Sequence, residues 1–174
     1  MSPGATSFQT REASSEGTAV LPLSNGGEVI VDASDLHWIT KHKWRLSKYG
    51  NGYQYAIRTH PSGQHLFLHK EVVGAGKHQI VDHINRNPLD NRRSNLRLCT
   101  LAQNNKNASL RRSNTSGFRG VYCRGNYWSA AIESDGRKYN LGTFATAEDA
   151  AKAYDEAAKR LHQEFASLNY PEAT

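Results

Sequence analysis

Short runs of alternating apolar and polar residues fill most of this chain, and a helical period takes over near its end. Glu28 to Asp32 alternates around Val29 and Val31, with Asn25-Gly26-Gly27 as the turn before it. Ser34 and Asp35 are placed to cap a short helix through Trp38 and Ile39. Trp44, Tyr53 to Ile57 and His65 to Leu68 read as a small meander, turned by Gly50-Asn51-Gly52 and Pro61-Ser62-Gly63. His78 to His83 is a further strand, Leu96 to Cys99 another, and a loop dense in Asn, Asp and Arg joins them from Asn85 to Asn95. Thr100 to Gln103 is the S/T-x-x-Q pattern that opens a helix. Three more strands are predicted at Phe118 to Tyr122, Tyr127 to Glu133 and Lys138 to Leu141, with Asp135-Gly136 as a hairpin turn. Trp128, Ala130 and Ile132 share one face of the middle strand. Thr146 then caps a helix striped by Ala147, Ala150, Ala151, Tyr154, Ala157, Ala158 and Leu161, small residues suited to packing on a three-stranded sheet.

These elements predict an α+β chain: a small β-rich N-terminal region, a strand–loop–strand–helix core, then a three-stranded antiparallel sheet packed on one helix. Residues 1–16, mostly small and polar, read as a flexible tail. A first domain is expected over 17–109 with its core at about 77–109, a linker over 110–116 and a second domain over 117–171. The whole is 174 residues, 37% of them hydrophobic, which suits small loop-rich domains.

The net charge of +6, with pI near 9.4, points to a polyanionic partner. No apolar run approaches the roughly 18 residues of a spanning helix, so no membrane partner is expected. Two cysteines, Cys99 and Cys123, stand far apart, which argues against a disulfide framework or a zinc ribbon. The N-terminus has no charged-then-apolar signal pattern, and a reducing, cytoplasmic setting is expected. Residues 77–112 carry Lys77, Arg86, Arg92, Arg93, Arg97, Lys106, Arg111 and Arg112 against Asp82 and Asp90 alone. In the C-terminal region acids gather on the helix and bases on the strands, so the sheet is expected to face the polyanion.

Phosphodiester hydrolysis needs a base for water and positive charge for the phosphate and leaving oxygen. Asp82-His83 at a strand end and Asn104 in the following helix supply an imidazole and two hard oxygen donors, near a helix start that favours anions. An Asp-His pair alone reads more readily as a surface turn. The longer string VDHINRNPLDNRRSNLRLCTLAQNNKN resembles the HNH (His-Me finger) endonucleases, in their asparagine-rich phage and homing branch. The resemblance implies a ββα-metal core with His83 as general base. Asp82 and Asn104 would hold one Mg²⁺ (or Mn²⁺), and Asn95 would be the middle asparagine that pins the loop. Asn105 and Asn107 are rivals for the place of Asn104. His69 is read either as a residue approaching the site or as a structural histidine under the loop. Arg97 is read as a phosphate clamp or a non-specific contact to DNA, and Arg111 and Arg112 as residues lying along phosphates.

Residues 116–171 resemble the Apetala-type (ethylene-response-factor) DNA-binding domain through Phe118-Arg119-Gly120-Val121, Trp128-Ser129-Ala130, Leu141-Gly142-Thr143-Phe144 and Leu168-Asn169-Tyr170-Pro171. The resemblance implies a sheet laid in the major groove of duplex DNA. Arg119, Tyr122 and Arg124 on the first strand and Lys138 and Asn140 on the third would be its contacts. Tyr122 and Ala131 depart from that family's usual residues, which places the plant target sequence in doubt.

Together these readings predict a homing-type or free-standing endonuclease of duplex DNA, a monomer or weak dimer, in a bacterial or phage-infected cytoplasm. The alternative is a non-catalytic DNA-binding regulator with a degenerate nuclease unit. RNA binding is a more distant option, because aromatic platforms at suitable spacing are lacking.

Overall fold

Val29 and Val31 leave one face of a five-residue strand, and their burial organises the N-terminal half of the chain. The computed structural model describes residues 11–13, 17–50, 52–108, 110 and 113–171. Most of the tail expected over 1–16, and both Arg111 and Arg112, lie outside the described residues. The chain divides into two compact units, Met1–Cys99 and Thr100–Thr174. The division falls ahead of the expected linker at 110–116, so the helix opened by Thr100 groups with the second unit.

In the first unit β1 (Arg11–Ala13), β2 (Thr18–Pro22) and β3 (Glu28–Asp32) form an antiparallel sheet in chain order. The strand β1 lies inside the segment expected to be a tail. Leu21 pairs with Val29 and Ala19 with Val31, and all four are buried. Gly26 and Gly27 both take positive φ in the connecting turn, where glycine has no Cβ to clash. Asn25 beside them bonds the backbone of Leu46 at both its amide and its carbonyl. That stitches the turn to β4 (Arg45–Lys48), which forms a second antiparallel sheet with β5 (Gln54–Thr59) and β6 (His65–Phe67).

Four local expectations change here. Asp35 precedes α1 (Leu36–Ile39) but makes no cap; its carboxylate accepts from Trp38 and Arg93 instead. The strand expected through Leu68 ends at Phe67, because Leu68 opens α2 (Leu68–Val72), whose i, i+4 pair Leu68 and Val72 is buried with His69. Trp44 lies just outside the meander as a core residue, its indole donating to the Ile39 carbonyl at 2.9 Å. Strands β7 (Ile80–His83) and β8 (Leu96–Cys99) pair antiparallel, with His83 opposite Leu96. Strand β7 starts two residues later than predicted, since His78 lies in a turn that Gln79 closes back to Gly76.

In the second unit α3 (Leu101–Lys106) carries the full capping box: Thr100 accepts from the Gln103 amide, and Gln103 accepts from the Thr100 amide. Strands β9 (Val121–Arg124), β10 (Tyr127–Ser134) and β11 (Arg137–Phe144) form a meander with β10 in the centre. Asp135 and Gly136 both have positive φ, the geometry of a tight two-residue hairpin. Helix α4 (Ala147–His162) lays its alanine stripe and Tyr154 on Val121, Ala130 and Ile132. Buried Asp155 accepts from the Asn169 amide, the Asn169 side chain and the Tyr170 amide, and Asn169 in turn bonds both backbone groups of Arg119. That network explains the Leu168-Asn169-Tyr170-Pro171 string: it fastens the end of the unit to its beginning.

The chain is a mixed α+β protein of small sheets, and no helix among the described residues is long and apolar enough to cross a membrane. Gly120 sets the closest approach in the second unit. It has φ +70°, and a Cβ there would overlap the Tyr154 ring and the Ala131 carbonyl. Gly120→Ala is expected to destabilise by about 1–3 kcal/mol, read as a lower midpoint in thermal unfolding, with Gly125→Ala at an open turn position as the milder control.

Candidate active site

A loop with Asn85, Asn87, Asp90, Asn91 and Asn95 must find partners for its buried amides, because an unpaired buried polar group costs about 1–3 kcal/mol. The loop between β7 and β8 does this internally. Asn95 accepts from the Asn85 amide at 2.9 Å and donates to the Asn85 side chain at 3.0 Å and the Asp90 carbonyl at 2.7 Å. Asn85 also donates to Asp90, which receives the Arg92 guanidinium on both oxygens. Burial alone would raise the pKa of Asp90, but its bonds from Arg92 and Asn85 hold it below the ordinary carboxylate range. The loop is also tied outward to the first sheet. Ile30 on β3 exchanges backbone bonds with Leu89 and Asn91, and Asp32 and Asp35 receive the Arg93 amide and guanidinium.

This frame presents Asp82 and His83 at the end of β7, both buried. Arg97, directly across the ladder from Asp82, sends Nε and Nη2 to Asp82 Oδ2 at 2.9 and 2.7 Å. Arg97 was read as a phosphate clamp or a non-specific contact to DNA; cross-strand pairing puts its guanidinium on the acid. Arg92 and Arg93 are likewise spent on Asp90 and Asp35, so the loop offers less positive charge than its composition suggests.

His83 packs edge-on to His69, with ring centroids 5.0 Å apart, and lies 6.4 Å from the Tyr55 ring. Its Nε2 is 3.4 Å from Asn91 Oδ1. Burial lowers the His83 pKa, partly opposed by the Asn91 bond and the charges of Asp82 and Asp90, so the ring is neutral and able to accept a proton at neutral pH. His69, on α2, is held neutral more firmly: burial, with smaller effects from His83 and Lys70, lowers it to about 3. Of the two readings of His69, the structure places it under the site as a buried packing partner of His83.

In the second unit Asn104 is the fourth residue of α3, half-buried, with Asn105 exposed and Asn107 buried at the helix C-terminus. Helix α3 has six residues, and its first-turn amides are capped by Thr100. Among the described residues no group of three or more His, Cys, Asp or Glu converges as a metal site. By donor type alone, the Asp82 carboxylate and the Asn104 side-chain oxygen suit a hard divalent ion.

A family model described as HNH endonuclease matches residues 70–106, the stretch from α2 to the end of α3. A mimivirus protein (Acanthamoeba polyphaga mimivirus) named uncharacterized HNH endonuclease L560 is 35% identical over 133 residues, which cover 75% of this chain and 68% of that protein. The chain belongs to the HNH endonuclease family. It is an enzyme, a phosphodiester hydrolase, and endonucleases of this family act on DNA and generally use a divalent metal. Protein 3.8 of Escherichia phage T7 is also similar, 32% identical over 92 residues that cover 52% of this chain and 75% of the phage protein. Dehydration-responsive element-binding protein 2A of Arabidopsis thaliana is 49% identical over 57 residues; these are 31% of this chain and only 17% of the plant protein.

On the endonuclease's second unit Tyr122, Arg124, Lys138 and Asn140 are all exposed. The strand register puts Tyr122, Ser129, Ala131, Lys138 and Asn140 on the face opposite α4, and the Lys138 ammonium lies 5.5 Å from the Tyr122 ring centre. Arg119 departs from its expected place. It precedes β9, its backbone is tied to Asn169, and its guanidinium donates to the Ala108 carbonyl.

Asn91, Tyr55 and the loop anchors on β3 escaped the sequence reading. The density of Asn and Asp in the loop was a signal for Asn91; nothing local marks Tyr55. Two outcomes follow. Asn95→Ala leaves the Asn85 amide and Asp90 carbonyl without their partner and is expected to cost about 1–3 kcal/mol in denaturant unfolding. Between its ordinary value of 6.5 and about 3, His69 binds a proton in the unfolded chain and not in the folded one. Its contribution is full above pH 6.5 and is lost as pH falls, at up to about 1.4 kcal/mol per pH unit. His69→Phe is expected to flatten the acid limb of the stability–pH curve.

Proposed function

We propose that this endonuclease cleaves duplex DNA with His83 as general base, Asp82 and Asn104 as ligands of one Mg²⁺ or Mn²⁺, and the second unit's sheet as its grip on the duplex. The observation that carries the reading is a buried, neutral imidazole at the end of β7, beside a buried carboxylate, inside the family-matched segment. His83 takes the proton of the attacking water, and its neutral state at physiological pH leaves it ready to do so. Arg97 keeps the Asp82 carboxylate in one orientation, a positioning role in place of the phosphate contact. A bound divalent ion would supply the charge that stabilises the phosphate and the departing 3′ oxygen. Cleavage then leaves 5′-phosphate and 3′-hydroxyl ends. One site per chain makes a nick the unit event, and a double-strand break takes a dimer or two events. The homing-type role in this proposal rests on the asparagine-rich string of the β7–β8 loop, and the similarity to a viral HNH endonuclease and to phage Protein 3.8 fits a viral or phage setting.

The duplex grip is supported by the exposed Tyr122, Arg124, Lys138 and Asn140 on one sheet and by the short match to a plant DNA-binding protein. Strands of this width enter a major groove, and phosphate contacts fix register.

His83→Ala is expected to slow relaxation of supercoiled plasmid by about 10²–10⁴-fold, and a chelator to stop the wild type. Relaxation by His83→Ala at the wild-type rate would remove the assignment. A purely DNA-binding protein would bind and never cut with either metal. Arg124→Ala and Lys138→Ala are each expected to weaken duplex binding and to lower the salt slope of log Kd by about one, measured by fluorescence anisotropy across salt concentrations.

A further inference from the structure

We propose that Asn91 is the positioning residue of this active site, fixing which nitrogen of His83 carries the proton and where the ring points. The inference rests on the reading of His83 as the base. Asn91 is 1% exposed, and its backbone amide donates to the Ile30 carbonyl on β3 at 2.7 Å. Its side-chain amide has one consistent orientation. The Pro88 carbonyl can only accept, so Nδ2 faces it, at 3.4 Å, and Oδ1 faces His83 Nε2, also at 3.4 Å. Oδ1 can only accept, so Nε2 must carry the hydrogen. In a neutral imidazole the lone pair then belongs to Nδ1. Both contacts are long, as such bonds often are before substrate tightens a site. The His69 and Tyr55 rings fix the imidazole plane by packing. The first sheet holds the Asn91 backbone, the Pro88 carbonyl takes its Nδ2, and the buried Oδ1 is left facing the ring.

The inference separates Asn91 from Asn95. Asn95 bonds only loop groups among the contacts described, so it shapes the turn; Asn91 reaches the imidazole itself.

The test is ¹⁵N NMR of histidine-labelled full-length protein at neutral pH, with His83 assigned by its loss in His83→Gln. The expected wild-type spectrum shows the Nε2–H tautomer for His83, a readout that needs no other variant and no cleavage. Asn91→Leu is expected to lose that single tautomer and to lower kcat about 10- to 100-fold, with KM for plasmid little changed. An Nδ1–H tautomer in the wild type would overturn the inference, and so would an Asn91→Leu protein with unchanged tautomer and kcat. Failure of the underlying reading looks different: the tautomer would be as expected, yet His83→Ala would still cut.

Discussion

The buried amide of Asn95 is the bond on which the first unit's chemistry depends. Two paired strands, β7 and β8, are joined by a loop that carries five Asn or Asp side chains among Asn85, Asn87, Asp90, Asn91 and Asn95, and a loop like that stays compact only if its polar groups bond one another. Asn95 closes it by bonding Asn85 twice and the Asp90 carbonyl once. The bonds from Ile30, Asp32 and Asp35 then make the first sheet a support for the loop. Strand β3 thus bears on the Asp82–His83 strand end through the loop backbone that it holds.

Burial has opposite consequences for the acids and the histidines of this frame. Each buried acid is compensated by an arginine: Asp35 by Arg93, Asp82 by Arg97, Asp90 by Arg92. Burial lowers the pKa of His69 and His83 instead, in His83 against the opposing Asn91 bond and the charges of Asp82 and Asp90. On the proposed reading of His83 as the base, desolvation keeps the imidazole deprotonated while Arg97 keeps the carboxylate beside it in place. The arginines that made the loop look like a phosphate-binding surface serve this internal order. The proposed duplex grip rests instead on the exposed sheet face of the second unit, where Arg124 and Lys138 stand with Tyr122 and Asn140.

Local patterns carried much of this into the sequence. The strand ends at His83 and Cys99, the Thr100–Gln103 capping box, the Asp135-Gly136 hairpin and the alanine stripe of α4 depend on near neighbours, and each was legible. Pairings across long separations were not. Arg97 reads as a surface base until its strand partner is known, because only the register of β7 and β8 sets it opposite Asp82. Asp35 reads as a helix cap until Arg93, far along the chain, claims it. Arg119 reads as a strand residue, but its strand starts later because Gly120 and the Asn169 bonds turn the backbone there. Of the site itself, Asp82, His83 and Asn95 were marked by the family string; Asn91 and Tyr55 needed the fold to bring them to the imidazole.

Chemical rescue tests the central claim, that His83 is the base held by this frame, most directly. Plasmid nicking by His83→Gly would be measured with Mg²⁺ as imidazole is added. The account predicts that imidazole restores nicking in proportion to its concentration of neutral base, with unchanged 5′-phosphate and 3′-hydroxyl ends. It also predicts no rescue of His69→Gly, whose histidine only packs. A His83→Gly protein that nicks at the wild-type rate without imidazole, or one that folds and binds DNA yet is never rescued while His69→Gly is, would contradict it.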